Sequence, residues 1–171
     1  LKLGAVGIIK FLWPMFNEQI LLFQDALLLL SLVAIVYCSI ICLTLRDIKQ
    51  IIAYSSVSHM GYVTLVLFAS PAFFNIAMFQ MISHGFISAG LFFIIGEIYS
   101  ATKTREISKM KGLANKMPIL SHFFMFFSLS SIGAPITSGF IGEFFSIYSV
   151  SKVNIYYGYI AALGPLLSSL Y

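Results

Sequence analysis

The sequence predicts an all-α fold, a polytopic transmembrane helical bundle, and three observations lead there. Hydrophobic residues make up 60% of the 171 and charged residues only 9%, with a mean hydropathy of +0.97. Soluble domains carry about 25% charged residues, so this balance argues against a water-soluble fold. The apolar residues also fall into runs long enough for a bilayer core about 30 Å thick, which asks for about 20 residues per helix. Finally, the basic residues lie in short gaps between those runs, where membrane topology accounts for them and for the net charge of +4. Nucleic-acid binding is set aside on that ground.

In chain order, Leu1 to Trp13 reads as one apolar segment with Gly4 and Gly7 as small packing positions, closed by Pro14 and Asn17-Glu18-Gln19. No secretory signal is visible and residue 1 is not Met, so the natural start is expected elsewhere. The second segment runs from about Ala26 to Leu45 and stops at Arg46-Asp47-Ile48-Lys49-Gln50. A third covers about Ile51 to Ala69 and a fourth about Phe73 to Tyr99, with Ser70-Pro71 between them. A polar connection, Ser100 to Met117, then holds Lys103, Arg105, Lys109, Lys111 and Lys116 against Glu106, and part of it suits a surface helix. The apolar run from Pro118 to Ser151 is too long for one straight span, and Gly133-Ala134-Pro135, Gly139 and Gly142 interrupt it, so a broken helix is expected. The last segment, about Val153 to Tyr171, contains Gly164-Pro165.

Alternation of these segments puts the gaps at 46–50 and 100–117 on one side of the membrane and those at 14–25, 70–72 and 151–154 on the other. The first side holds Arg46, Lys49 and the five basic residues of the connection; the second holds only Lys152. The positive-inside rule therefore turns the first side toward the matrix or cytoplasm.

Ionisable groups within spans are costly, so each is a candidate for a pathway or relay. Four stand out: Lys2, His59, His84 and Glu143. His59 and His84 each sit mid-helix among serines, and an imidazole accepts at one nitrogen while donating at the other, as a proton relay requires. The bland alternative for a lone His in an apolar helix is a structural role; two on adjacent segments, with a Lys and a Glu at similar depth, favour function. Glu143 follows the Gly-Ala-Pro break, where freed backbone groups can line a cavity, and its alternative is a structural hydrogen bond to a neighbouring helix. For Lys2 the alternative is snorkelling to the interface. Lys10, Lys152, Glu97 and His122 lie near segment ends and suit interfacial roles, and the Arg46–Lys49 cluster reads as a solvated turn. Cys38 and Cys42 have no further Cys or nearby His to complete a metal set and read as buried small hydrophobes. There is no Walker motif, Gly-rich dinucleotide loop or nucleophile triad, so no redox or hydrolytic site is expected in this chain.

The run Arg46 to Gly61, RDIKQIIAYSSVSHMG, closely resembles the signature of the antiporter-like subunits of respiratory complex I. The resemblance continues through Met81-Ile82-Ser83-His84-Gly85, Lys111-Gly112-Leu113-Ala114 and Ser138-Gly139-Phe140-Ile141-Gly142-Glu143-Phe144, in the family's order. Within the family, Glu rather than Lys in the broken helix is similar to the subunit 4 branch; the subunit 2 and 5 branches usually carry Lys. The resemblance implies two inverted five-helix repeats, with residues 1–14 ending a bridging helix and residues 15–171 forming the second repeat. It implies that Lys2 connects the repeats, that His59 and His84 form the central relay, and that Glu143 leads to the outer side. An earlier helix pair carrying a Glu and a Lys is then expected in a separate chain or an upstream segment. The implied partners are other membrane-arm subunits, subunits 2 and 5 among them, within the mitochondrial inner membrane or a bacterial plasma membrane. NAD, FMN, iron–sulfur clusters and ubiquinone are implied for partner subunits and no cofactor for this one. A cation/proton antiporter, a membrane-bound hydrogenase subunit and a structural scaffold without pumping remain as alternatives.

Overall fold

The computed structural model describes residues 2–171, nearly all of them helical and none in a named strand. The chain begins with α1 (Lys2–Gly7), which passes through a π-helical turn at Ile8–Leu12 into α2 (Trp13–Met15). Pro14 has no N–H to give to the preceding turn, and the widened turn sits immediately ahead of it. Asn17-Glu18-Gln19 does not open a loop but starts a further helix, α3 (Asn17–Leu22). The three polar side chains point outward from its first turn, where an acid such as Glu18 also favours the helix dipole.

α4 (Gln24–Thr44) and α5 (Ile48–Ala69) pack side by side, and α6 (Phe74–Thr102) lies against the far side of α5. After α6 come a 3₁₀ turn at Ile107–Lys109 and the four-residue α7 (Leu113–Lys116), so the basic connection holds short turns where a longer surface helix was conceivable. α8 (Pro118–Ile132) and α9 (Ser138–Val153) follow, separated by an irregular stretch at 133–137, and α10 (Ile155–Ala161) with α11 (Leu163–Ser168) complete the chain. Three helical stretches, Gln24–Thr44, Ile48–Ala69 and Pro71–Thr102, are long and apolar enough to cross a membrane; Pro118–Ile132 and Ile155–Ser168 are shorter apolar helices. The six expected segments thus reduce to three long spans and shorter pieces, because Pro14, the 133–137 stretch and Ala162 interrupt the others.

Arg46–Lys49 is more than a solvated turn. Asp47 caps α5 by accepting from the N–H groups of Lys49 (2.8 Å) and Gln50 (3.2 Å). The same strip pairs with the connection: Ile48 N–H donates to Arg105 O and Ile107 N–H to Arg46 O, each at 3.1 Å. The two basic gaps therefore form one surface. Within it Glu106 accepts from Ser108 Oγ at 2.8 Å and faces Lys109 Nζ at 2.6 Å, and these neighbours hold its carboxyl below the ordinary range.

α5 is the centre of the bundle. Tyr62, Val63, Leu65, Val66 and Leu67 are all fully enclosed. Gly61 lets α4 approach: a Cβ there would stand 2.7 Å from Ile35 Cγ1 and 3.2 Å from Ser31 O. Small residues at such crossings allow the close backbone contact on which association in lipid depends. Ser58 Oγ bonds Ile35 O across the interface at 3.0 Å and shares a hydrogen bond with Ser39 Oγ at 2.9 Å. Trp13 Nε1 donates to Leu67 O at 2.8 Å and Gln24 Nε2 to Phe68 O and Ala69 O, which ties the first segment to the end of α5. At the other flank, Tyr62 donates to Ala161 O at 2.9 Å, and its hydroxyl occupies the space that a side chain at Gly164 would fill.

Candidate functional site

α5, α6 and α9 enclose a small polar chamber together with the end of α8. Its walls carry His59 from α5, Gln80, Ser83 and His84 from α6, Ser130 and Ser131 from α8, and Glu143 from α9. The free space is about 10 Å³, close to what one water molecule occupies. All three ionisable residues are buried, at 5% for His59, 6% for His84 and 3% for Glu143.

His59 Nδ1 lies 2.8 Å from Glu143 Oε1. An ionised carboxylate only accepts, so this nitrogen carries the hydrogen of the pair. His59 Nε2 then accepts from Ser131 Oγ at 3.3 Å. The imidazole is thus held at both nitrogens, by helices far from it in sequence. His84 stands beside it, with ring centroids 5.5 Å apart and planes inclined by 38°. Lys2 reaches α6 from outside the chamber: its stem lies against Gly85, where a Cβ would be 3.3 Å from Lys2 Cε and 3.7 Å from Nζ. Lys2 thus rests on α6 against the residue that follows His84, outside the chamber that holds His59 and Glu143.

Three glycines make this convergence possible. A side chain at Gly142 would collide with the Gln80 amide, and one at Gly139 with Ser130 O, so both let α9 close on its neighbours. Gly133 ends α8 in the left-handed region at φ 77°, and a Cβ there would sit 3.1 Å from Glu143 Oε2. The stretch between α8 and α9 bonds part of its own backbone, as irregular chain in an apolar setting requires. Ala134 N–H donates to Leu129 O, Thr137 N–H to Ala134 O, and Thr137 Oγ1 caps α9 by accepting from Phe140 N–H.

The serines beside the histidines in sequence do not serve the imidazoles. Ser55 and Ser56 hydroxyls turn back to Ile52 O, and Ser83 bonds Ser138 at 2.8 Å. The actual hydroxyl partner, Ser131, went unread, although it lies two residues ahead of the Gly133 break. Gln80 was also missed; a polar residue one turn before His84 in an apolar helix was the available signal. Its Oε1 is buried and has no hydrogen-bond partner among the described residues. Of the remaining candidates, Lys10, Glu97, His122 and Lys152 are exposed at helix ends, and Cys38 and Cys42 are free thiols buried on α4.

The model of the family described as NADH:quinone oxidoreductase/Mrp antiporter, TM, matches residues 1–168. The chain belongs to this family. Among relatives of this antiporter-family chain, NADH-quinone oxidoreductase subunit M of Rickettsia prowazekii is 50% identical over 172 residues, covering 100% of this chain and 35% of the relative. The subunit M of Rhodobacter capsulatus is 45% identical, covering 100% and 34%, and NADH-ubiquinone oxidoreductase chain 4 of Marchantia polymorpha is 40% identical, covering 100% and 35%. The chain therefore spans about a third of the length of the relatives it matches. Among solved structures, a chain of respiratory complex I from Thermus thermophilus superposes with a TM-score of 0.93 at 28% identity, covering 99% of this chain and 36% of that one. A chain of an archaeal membrane-bound sulfane sulfur reductase shares the fold, with a TM-score of 0.82 at 19% identity over 86% of this chain and 31% of that one.

Proposed function

We propose that this chain conducts protons as the second antiporter-like repeat of a membrane subunit, of the subunit 4 or M type, in a proton-translocating NADH:quinone oxidoreductase. Residues 1–14 then end the bridging helix and residues 15–171 form the repeat. The observation that carries the reading is the buried His59–Glu143 pair at 2.8 Å, with His84 beside it. A buried carboxylate held by an imidazole contributes little net stability, because desolvation offsets the attraction, so its placement at the centre of the bundle is better explained by transport than by folding.

In this reading Lys2 hands charge to His84 and His59, and Glu143 releases the proton toward the outer side. An imidazole that gains a proton at Nε2 gives up the one at Nδ1 to Glu143, so each passage leaves the net charge of the chamber unchanged. Electron transfer belongs to partner subunits, which supply NAD, FMN, iron–sulfur clusters and ubiquinone. Subunits 2 and 5 and the segment bearing the first half-channel complete the assembly in the mitochondrial inner membrane or a bacterial plasma membrane. Relatives of 40–50% identity that are named for NADH oxidoreductases favour this electron donor over a general cation/proton antiporter.

The test is Glu143→Gln in the assembled complex. The carboxamide keeps the shape and loses the titratable proton, so NADH oxidation should persist while protons moved per NADH fall. Unchanged pumping in a fully assembled variant removes Glu143 from the path.

A further inference from the structure

A second cavity, of about 140 Å³, lies between the first turns of α5 and the inner half of α8, and the relay described above makes no use of it. It has room for several water molecules. Ser55, Ser128, Ser131, Ser168 and Tyr171 are among its lining residues, the Ser55 and Ser168 hydroxyls donating to Ile52 O and Pro165 O and keeping their lone pairs. Ser55 and Ser168 are themselves buried, at 5% and 4% exposure.

The two ends of this cavity differ in what they touch. At the inner end Ser131 Oγ is 3.3 Å from His59 Nε2, the nitrogen that faces away from Glu143. At the basic-loop end stands Ile48, the first residue of α5, whose N–H is bonded to Arg105 O in the basic connection. Ile48 and Phe124 also wall a further, apolar cavity of about 190 Å³ beneath Ile107, Met110 and Leu113. Hydroxyl-bearing residues thus lie between the basic surface and the imidazole, and the apolar Ile48 and Phe124 stand where the two cavities adjoin.

We infer that this cavity is a proton-access vestibule, joining the basic-loop side of the bundle to His59 Nε2 through Ser131, with Ile48 and Phe124 as its gate. The inference rests on the relay reading of His59 and Glu143. A hydronium ion in the vestibule gives a proton to Ser131 Oγ and becomes water as the serine passes its own to His59 Nε2. The resulting imidazolium gives its Nδ1 proton to Glu143 Oε1. One bond to hydrogen forms for each that breaks, no electrons move, and the ring is left as the neutral Nε2–H tautomer. Apolar constrictions gate such paths by excluding water, which prevents leakage when the relay is loaded.

The experiment uses the whole complex in sealed vesicles, with NADH:ferricyanide activity as the measure of assembly and proton movement per NADH as the readout. Ser131→Ala should lower pumping on the order of tenfold, a modest share of what a positioned proton-transfer group contributes, and Ser131→Thr, which keeps the hydroxyl, should restore it. Ser128→Phe fills the cavity without touching the imidazole and should also slow pumping. Ile48→Cys should make pumping sensitive to a charged, membrane-impermeant methanethiosulfonate added on the basic-loop side only, judged against the unsubstituted complex. Native pumping in Ser131→Ala and Ser128→Phe, with Glu143→Gln impaired, overturns the vestibule and leaves the relay standing. Native pumping in all three overturns both. Failure of Ser131→Thr to restore an assembled complex, or inhibition of Ile48→Cys from the opposite side, also overturns the vestibule.

Discussion

α4 and α5 have nearly the same length, 21 and 22 residues, and opposite character. α4 has a mean hydropathy of 2.8 over its most apolar window and only 39% of that window is buried, whereas α5 has 1.5 and 72%. In a water-soluble protein the more apolar helix would be the inner one. Here the apolar helix faces outward, with Leu30, Val33 and Tyr37 exposed, and the serine-rich helix with its histidine is enclosed. Lipid is as apolar as leucine and does not drive leucine inward, so what must leave the surface is the polar group. Burial in this bundle therefore marks chemistry, and the exposed face is the most apolar one.

The comparison is easiest to break at His59. Replacing it by leucine makes α5 more apolar yet leaves Glu143 enclosed without its partner, and removing one side of a buried pair costs about 3–5 kcal/mol. The His59→Leu complex should show reduced assembly on native gels and a lower unfolding midpoint. Leu30→Phe on α4, a comparable change on an exposed site, should stay within about 0.5 kcal/mol. Equal effects from the two would mean that the helices are not differently loaded.

Gly142 sharpens the same contrast through packing. A methyl group there meets the Gln80 amide, and overpacking of this kind costs about 1–3 kcal/mol. Gly142→Ala should lower thermal stability by that amount, whereas Gly4→Ala, with nothing within 4 Å of the added methyl, should not. Loss of a single hydrogen bond comes next. Tyr62→Phe removes the bond to Ala161 O while keeping the ring, for a cost of about 1 kcal/mol, and it should loosen α10 and α11 in hydrogen exchange before the rest of the bundle.

The smallest effect is expected at the basic surface, which lies outside the spans. Glu106 is held below its ordinary pKa by Lys109 and Ser108, so its contribution is present above the unfolded carboxylate value and is lost as pH falls through the lower, folded one. Protection factors of the 103–112 segment should hold from neutral pH down to about pH 5 and drop as pH falls below the ordinary carboxylate value of 4.5, and Glu106→Gln should flatten that dependence. A pH response in the enclosed part of α5 over the same range, with Glu106→Gln present, would show that the two regions are not independent.

Composition and spacing made the membrane class, the long spans and the four candidate residues legible, because hydropathy and the cost of a charge in hydrocarbon are local properties of the chain. The bounds of α4, α5 and α6 fell within a few residues of expectation for the same reason. What sequence spacing did not reveal was who meets whom. His59 finds Glu143 and Ser131 across 84 and 72 positions, Gln80 finds Gly142, and Asp47 turns out to cap α5 while its neighbours pair with Arg105 and Ile107. Those meetings depend on how closely helices cross. The crossings depend on glycines whose value is only the space they leave, and that space exists only once a second helix is there to occupy it.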